Sequence, residues 1–162
     1  MDEQSIREGV YKTHFVQHRI TSGYIQIADG ATSLPAFWAH PQIGGTFPGL
    51  VLIHGERGLN NQMRMRVRRF AELGYYVIAP EILGAEFNTQ DVPTCRAALR
   101  ERGESRVLAA LHVLRNHNRS SGKLGVVGWL TGGELAFRMA LQQSDLRAVV
   151  VFGGKPDDYI DR

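Results

Sequence analysis

Four short apolar runs, each separated from the next by a helical pattern, constrain the fold of this chain more than any other feature. The runs lack the apolar-polar alternation of a half-exposed strand, which predicts strands buried on both faces of a parallel sheet. The first helical pattern ends at Gly74, and the second has a predicted break at Gly103. This order is typical of a doubly wound α/β sheet. The apolar runs cover Gly49 to His54, Tyr75 to Pro80, Lys123 to Trp129 and Leu146 to Gly154, and the helical patterns cover residues 61–73, 95–117 and 133–142.

A strand pair precedes the first of these runs. Residues 14–28 alternate loosely between apolar and polar side chains, and a further strand is predicted from Leu34 to Pro41. Asp29 and Gly30 between them form a typical hairpin turn sequence. We therefore expect an antiparallel N-terminal edge on a mostly parallel sheet. Because the 162 residues contain no linker or repeat, we expect residues 1–162 to form one domain.

Composition gives no indication of a nucleic-acid or membrane partner. The chain has 19 Lys and Arg against 16 Asp and Glu, and a net charge of +3 is too small to predict binding to nucleic acid or to a membrane. The basic stretch Arg64 to Arg69 surrounds an apolar stripe of Met63, Val67, Phe70 and Ala71, so it predicts an amphipathic helix with either a solvated basic face or a site for an acidic partner. The single cysteine cannot form an intramolecular disulfide, and no apolar run has the length of a membrane span. We expect a cytoplasmic protein.

Two turns lie where chemistry is expected, at the carboxyl ends of buried strands. They are "HGERGLN", from His54 to Asn60, and "GWLTGG", from Gly128 to Gly133. The second fits the strained strand-to-helix turn in which a central nucleophile stands between small residues. Leu130 occupies that central position. A leucine has neither a lone pair nor a proton to offer, so covalent catalysis from this position is excluded.

Together, "LPAFWAHP", "GLVLIHGERGLNNQMRMRVRRFAELGYYVIAPEIL" and "GVVGWLTGGELAF" resemble the dienelactone hydrolase family of α/β-hydrolases. The resemblance implies an incomplete α/β-hydrolase fold without its last two strands, with Leu130 in place of the family's cysteine nucleophile. Gly55 stands where the family has a glutamate, and Glu56 is its neighbour. The matching residues of the first turn are His54, Arg57, Gly58, Leu59 and Asn60. The family's acid and histidine follow two further strands, and no residue of this chain corresponds to them.

The leading hypothesis is therefore a dienelactone-hydrolase-like protein that is non-catalytic as this chain and acts by binding or assembly. The alternative is an active ester or lactone hydrolase that is completed by a partner chain or uses Thr131 or Cys95 with His54. Each candidate has a structural interpretation as well: Thr131 as a helix cap or as part of the turn geometry, His54 bonded to its own loop, and Cys95 as a buried or half-buried thiol at the start of a helix.

Backbone N–H groups near Gly55, Glu56 and Thr131 correspond to the family's oxyanion hole and predict a pocket for a small acidic ligand. No cofactor is expected. No metal is expected either, because the remaining histidines lack metal-ligand spacing. These are His14, His18, His40, His112 and His117.

The last apolar strand predicts an interface. From Ala148 to Phe152 it is uncharged and contains no proline, and at the edge of a sheet such a strand is rarely left bare. Three coverings are open: a second copy in a homodimer, a separate polypeptide, or the terminal segment "KPDDYIDR". We place the homodimer first. The terminal segment comes last because it is short and polar, and Asp157 and Asp158 are expected to be solvated.

Overall fold

The computed structural model describes residues 17–155, so His14, Asp157, Asp158 and the segment 156–162 lie outside the described part. These described residues form one six-stranded sheet and three helices. The strands are β1 (Ile20–Asp29), β2 (Thr32–Pro41), β3 (Phe47–Ile53), β4 (Tyr76–Pro80), β5 (Ser120–Trp129) and β6 (Leu146–Phe152). The helices are α1 (Asn61–Glu72), α2 (Val92–Asn116) and α3 (Thr131–Gln142).

The strand order is β1-β2-β4-β3-β5-β6. β1 and β2 form the predicted antiparallel hairpin, with Asp29 opposite Thr32 and with Gly30 at a φ of 60° in the turn. β2 also runs antiparallel to β4, whereas β3 pairs in parallel with β4 and β5, and β5 pairs in parallel with β6. The predicted mostly parallel sheet with an antiparallel N-terminal edge is confirmed.

Helices cover both faces of the sheet. α1 packs on one face through Met63, Val67 and Ala71, as its apolar stripe predicts, with Phe70 partly buried beside them. α2 and α3 pack on the other face, against side chains that include Val51, Ile78 and Val126. The central strands β3 and β4 are therefore buried on both sides, which explains their unbroken apolar sequence. None of the helices within residues 17–155 is both long and apolar enough to cross a membrane.

Two expectations for the second helix are wrong. α2 begins at Val92, where the Asp91 carboxylate caps it by accepting a hydrogen bond from the Thr94 N–H, so Cys95 does not start the helix. The predicted break at Gly103 is also absent, and the helix runs unbroken through this residue. Gly103 is needed for packing instead, because a Cβ at this position would overlap the Leu135 side chain of α3.

β6 is the outermost strand of the described sheet, as expected from the sequence. It pairs with β5 on one side, and no strand among residues 17–155 pairs with its other side. The prediction that this run is buried on both faces is wrong: Val150, Val151 and Phe152 are exposed, because the strand lies at the edge of the described sheet. The carboxyl ends of β3, β5 and β6 lie side by side, and the loops that follow them build the site described next.

Candidate functional site at the strand-to-helix elbow

The turn between β5 and α3 has the strained backbone of a nucleophile elbow. Leu130 has φ 55° and ψ −122°, and it is the only non-glycine residue with positive φ in the described part of the chain. Its N–H donates to Phe152 O at 2.9 Å, and its carbonyl accepts from the Gly133 N–H at 2.8 Å. The elbow is thereby fixed to β6 on one side and to the first turn of α3 on the other.

The glycines of the turn leave no room for side chains. A Cβ on Gly128 would overlap Gly132 O, and a Cβ on Gly132 would overlap the carbonyls of Ile53 and His54 at the end of β3. The close approach of the two turns therefore requires glycine at these positions. A Cβ on Gly55 would lie 2.9 Å from Trp129 O, so a glutamate at this position would have to displace the elbow backbone.

Leu130 lies at the centre of the site. Its side chain is 54% exposed and lies against Gly55 from one turn and Gly153 from the segment after β6. The structure thus brings Gly55 and Thr131, the two parts of the predicted oxyanion pocket, to the two sides of this leucine. An apolar side chain occupies the place where a reacting atom would stand in a hydrolase.

Thr131 and Glu56 form a buried pair beside Leu130. Of the two structural interpretations of Thr131, the helix cap is wrong: no side chain caps α3, and Thr131 Oγ1 donates to Glu56 Oε1 at 2.5 Å. Glu56 is 5% exposed, and the same oxygen accepts from Arg96 Nε at 3.2 Å. Its second oxygen, Oε2, has no hydrogen-bond partner among the described residues.

Burial opposes ionisation of Glu56, but hydrogen bonds outweigh it. Desolvation alone would raise the pKa of this carboxyl. The Thr131 hydroxyl, the residue's own N–H and the Arg96 guanidinium together hold the pKa below its ordinary value. The site therefore contains a carboxylate that is ionised at neutral pH and whose one unpartnered oxygen accepts, but cannot donate, a proton.

His54 is held by its own loop. It is buried, its Nδ1 lies 2.8 Å from Gly55 O, and its Nε2 accepts from the Ile82 N–H at 2.9 Å. Glu81 Oε1 is 3.2 Å from Nε2. Both ring nitrogens thus have partners within the loops, and no hydrogen bond or ion pair within residues 17–155 joins His54 to Thr131 or Cys95.

Cys95 is buried on α2, and its Sγ donates to Asn88 O at 3.3 Å. Burial raises the pKa of the thiol, and the nearby carboxylates of Asp91 and Glu56 raise it further. A raised pKa disfavours the thiolate, which is the nucleophilic form. The environment of Cys95 is therefore that of a structural thiol.

Two clefts meet at the elbow. The larger has a volume of about 1110 Å³ and extends toward α2, and the smaller has a volume of about 230 Å³ and extends toward α1. Four residues line both clefts and form a ridge between them, which we call the elbow ridge. The elbow ridge consists of Glu56, Arg57, Asn60 and Leu130.

The two clefts differ in chemistry. Four basic and two acidic side chains line the larger cleft, and Arg96 and Arg100 are paired there with Glu56 and Glu134. The smaller cleft contains Trp129 stacked on Phe152 with ring centroids 5.3 Å apart, and the Arg66 guanidinium lies 4.6 Å from the Trp129 ring centroid. Within residues 17–155 no three His, Cys, Asp or Glu side chains are grouped as metal ligands would be.

The sequence analysis missed the wall of the larger cleft. Arg96 and Arg100 are one helical turn apart on α2 and contact Glu56 and Glu134 across the cleft. Their i, i+4 spacing is visible in the sequence and predicts a common helix face. Nothing local in the sequence indicates that this face points at the elbow, because the contacts join residues that are far apart in the chain.

Comparison with known proteins identifies relatives of this arrangement. The model of the dienelactone hydrolase family matches residues 34–162. A protein of Escherichia coli (strain K12), named "Putative carboxymethylenebutenolidase", is 31% identical over 145 residues, which are 84% of this chain and 54% of that protein. Carboxymethylenebutenolidase of Pseudomonas putida is 30% identical over 118 residues, covering 65% of this chain and 50% of that enzyme. The chain spans about half the length of the curated relatives it matches.

Solved structures agree with this match. A dienelactone hydrolase-like promiscuous phosphotriesterase from metagenomic libraries superposes with a TM-score of 0.74 at 27% identity, over 83% of this chain and 59% of that one. The dienelactone hydrolase of Anabaena variabilis superposes with a TM-score of 0.68 over 86% of this chain and 66% of that one, at 21% identity, which supports the fold alone.

Proposed function

The chain belongs to the dienelactone hydrolase family, and from this premise we propose that it binds a small acidic ligand at its elbow without acyl transfer from the nucleophile position. The observation that carries this proposal is Leu130 at φ 55°. The backbone has the conformation that presents a nucleophile, whereas the side chain contains only carbon and hydrogen beyond the backbone. Covalent catalysis requires an atom with an available electron pair, and Leu130 has none.

The charges around the elbow support an acidic ligand. Arg57 and Lys155 line the larger cleft, and no carboxylate of residues 17–155 forms an ion pair with either of them. Thr131 is the first residue of α3, so its N–H has no partner within the helix, and the positive end of the helix dipole lies at the elbow. These groups attract an anion, and the apolar Leu130 between them favours a ligand with some apolar surface.

Turnover and binding together test this proposal. The purified chain and a Leu130→Ala variant are assayed with short acyl esters and enol-lactones, and binding of propionate and of propionamide is measured by calorimetry. We expect no turnover above the uncatalysed rate, and binding of propionate but not of the neutral amide. A rate well above background that falls in the Leu130→Ala variant would overturn the non-catalytic part, and equal binding of acid and amide would overturn the acidic-ligand part.

A second candidate is an active ester or lactone hydrolase that uses Thr131 or Cys95 with His54, or residues of a partner chain. The contact that favours it is the 2.5 Å hydrogen bond from Thr131 to Glu56, because a hydroxyl nucleophile needs a base at this distance. The buried, loop-bonded His54 and the raised pKa of Cys95 argue against those two residues. Intact-mass analysis after incubation with a serine and cysteine acylating probe separates the candidates: stable labelling at Thr131 or Cys95 favours the hydrolase.

Assembly through β6 is a further part of the proposal. The outer edge from Ala148 to Phe152 has no partner strand among the described residues, and three of its apolar side chains are exposed. We propose a homodimer through this edge, with a hetero-partner as the alternative. We also propose a location in the cytoplasm, where a single free thiol stays reduced. Light scattering checks the assembly, and a monomeric mass at 100 µM would exclude the homodimer.

A further inference from the structure

We propose that one ligand occupies both clefts at once, and that this ligand is an aryl carboxylic acid lying across the elbow ridge. Its carboxylate is bound between Arg57 and Lys155 in the larger cleft. Its aromatic ring lies in the smaller cleft beside Trp129 and Phe152. The inference rests on the proposed binding function and adds to it the ligand class and a second, aromatic subsite.

The elbow ridge makes the two clefts one continuous surface. Leu130 and Arg57 line both of them, so a ligand that contacts either residue lies at the entrance to both clefts. Leu130 is half exposed there and forms an apolar crossing point whose side chain contains only aliphatic carbon. A short methylene chain fits this crossing, because burying apolar carbon against the apolar carbon of Leu130 is favourable.

The smaller cleft suits a single aromatic ring. Its volume of about 230 Å³ exceeds the roughly 150 Å³ of a protein cavity that takes up benzene. Trp129 and Phe152 are stacked at an interplanar angle of 12°, and Phe152 is 50% exposed. Trp129 is stacked on Phe152 and has the Arg66 guanidinium over its ring, so the surface open to offset stacking is the exposed part of the Phe152 ring beside it. Such a surface favours an aryl group over an alkyl chain.

The pairing of the basic side chains in the larger cleft indicates where the ligand carboxylate binds. Arg96 and Arg100 are neutralised by Glu56 and Glu134, so a ligand anion gains little from them. Arg57 is exposed and has no ion-pair partner within residues 17–155, and it lies on the elbow ridge. Lys155 on the same cleft provides a second cation. The anionic head group is therefore placed next to the ridge rather than deep under α2.

Fluorescence of Trp129 reports directly on the aromatic subsite. The chain has two tryptophans, and Trp38→Phe leaves Trp129 as the only one. Trp38 lies on β2, beside His40 and Tyr76, and lines neither cleft. The Trp38→Phe protein is titrated with 4-phenylbutyrate, with its neutral amide 4-phenylbutyramide, and with butyrate, which lacks the ring. We expect a saturable change in Trp129 emission with 4-phenylbutyrate, and at least tenfold weaker binding of the amide and of butyrate.

Single substitutions assign the two subsites. Arg57→Gln is expected to weaken 4-phenylbutyrate binding about tenfold and to leave binding of the amide unchanged, and Phe152→Ala is expected to weaken the acid and the amide alike. Arg19→Gln is the matched control for loss of an exposed charge, because Arg19 is exposed, lines neither cleft and has no ion-pair partner within residues 17–155; Ile43→Ala is the control for loss of an exposed apolar side chain. Both controls are expected to stay within twofold of the parent.

The outcomes separate this inference from the proposed function. One outcome is that calorimetry detects propionate binding while 4-phenylbutyrate binds no more tightly and leaves Trp129 emission unchanged. That result would overturn the two-cleft ligand and keep the acidic-ligand site. Loss of both propionate and 4-phenylbutyrate binding would overturn both. Equal effects of Arg57→Gln and Arg19→Gln would also overturn the placement of the carboxylate.

Discussion

Two variants, Leu130→Gly and Leu130→Ala, test whether the backbone at position 130 is strained. Such strain would persist although Leu130 presents no nucleophile. A non-glycine residue in a sparsely populated conformation such as φ 55°, ψ −122° costs roughly 1–3 kcal/mol. Glycine removes this cost, but its larger backbone freedom in the unfolded chain returns about 0.4–1 kcal/mol. Both variants lose the same leucine side chain. We therefore expect Leu130→Gly to be more stable than Leu130→Ala by about 0.5–2 kcal/mol.

The comparison is informative because its sign reverses the usual order. At Leu141, which is exposed on α3, the same pair of substitutions should favour alanine over glycine by roughly 1 kcal/mol. Urea unfolding monitored by circular dichroism measures both pairs. With a slope of about 2 kcal/mol per molar urea, a difference of 1 kcal/mol shifts the midpoint by about 0.5 M.

An alanine variant at position 130 that is as stable as the glycine variant, or more stable, would refute the reasoning. Leu130→Val provides an independent check, since a β-branched side chain is the least compatible with positive φ. It should be the least stable of the three variants although valine is closest to leucine in volume. A valine variant as stable as the alanine variant would mean that the elbow relaxes instead of storing strain.

Three further predictions concern the surroundings of the site. Gly103→Ala should destabilise the fold by about 1–3 kcal/mol in urea unfolding, although alanine favours helices, because its Cβ would overlap Leu135; an increase in stability would contradict the packing described. Thr131→Val should cost about 1–3 kcal/mol, since Glu56 loses its hydroxyl donor while staying buried, whereas Thr131→Ser should recover most of this loss. The pKa of His117 is lowered by burial and by nearby positive charge, so the unfolded chain takes up its proton at a higher pH than the folded chain does. Stability from this residue should therefore fall as the pH drops below about 6.5, and urea midpoints at pH 7.5 and 5.5 should differ less in His117→Asn than in the parent.

The two turns of the site could be found from the sequence because each follows a buried strand and contains glycines at fixed spacing. Leu130 at the nucleophile position was identified in the same way. The role of Glu56 was harder to predict, because Gly55 occupies the position that corresponds to the family glutamate. The structure shows that a Cβ at position 55 would press on the elbow, and that Glu56 reaches Thr131 from the next position.

The structure also decided between alternatives that the sequence left open for Thr131. A threonine at the start of a helix predicts a cap, and local spacing contains no information against it. In the folded chain its hydroxyl donates to a carboxylate 75 positions away. Such a contact depends on the distance between two loops, which is set by how β3 and β5 pair and not by any local pattern.

The sequence by itself determined the alternation of strands and helices, the antiparallel edge and the chemical limits of the elbow, because periodicity, glycine placement and the absence of a lone pair are properties of local residues. Only the tertiary structure decided what surrounds Leu130. Its strained φ, the two clefts that meet at the elbow ridge, and the pairing of Arg96 and Arg100 with the two glutamates arise from elements distant in the chain. Contacts of this kind depend on the packing of helices against the sheet, so they become visible only when the whole fold is assembled.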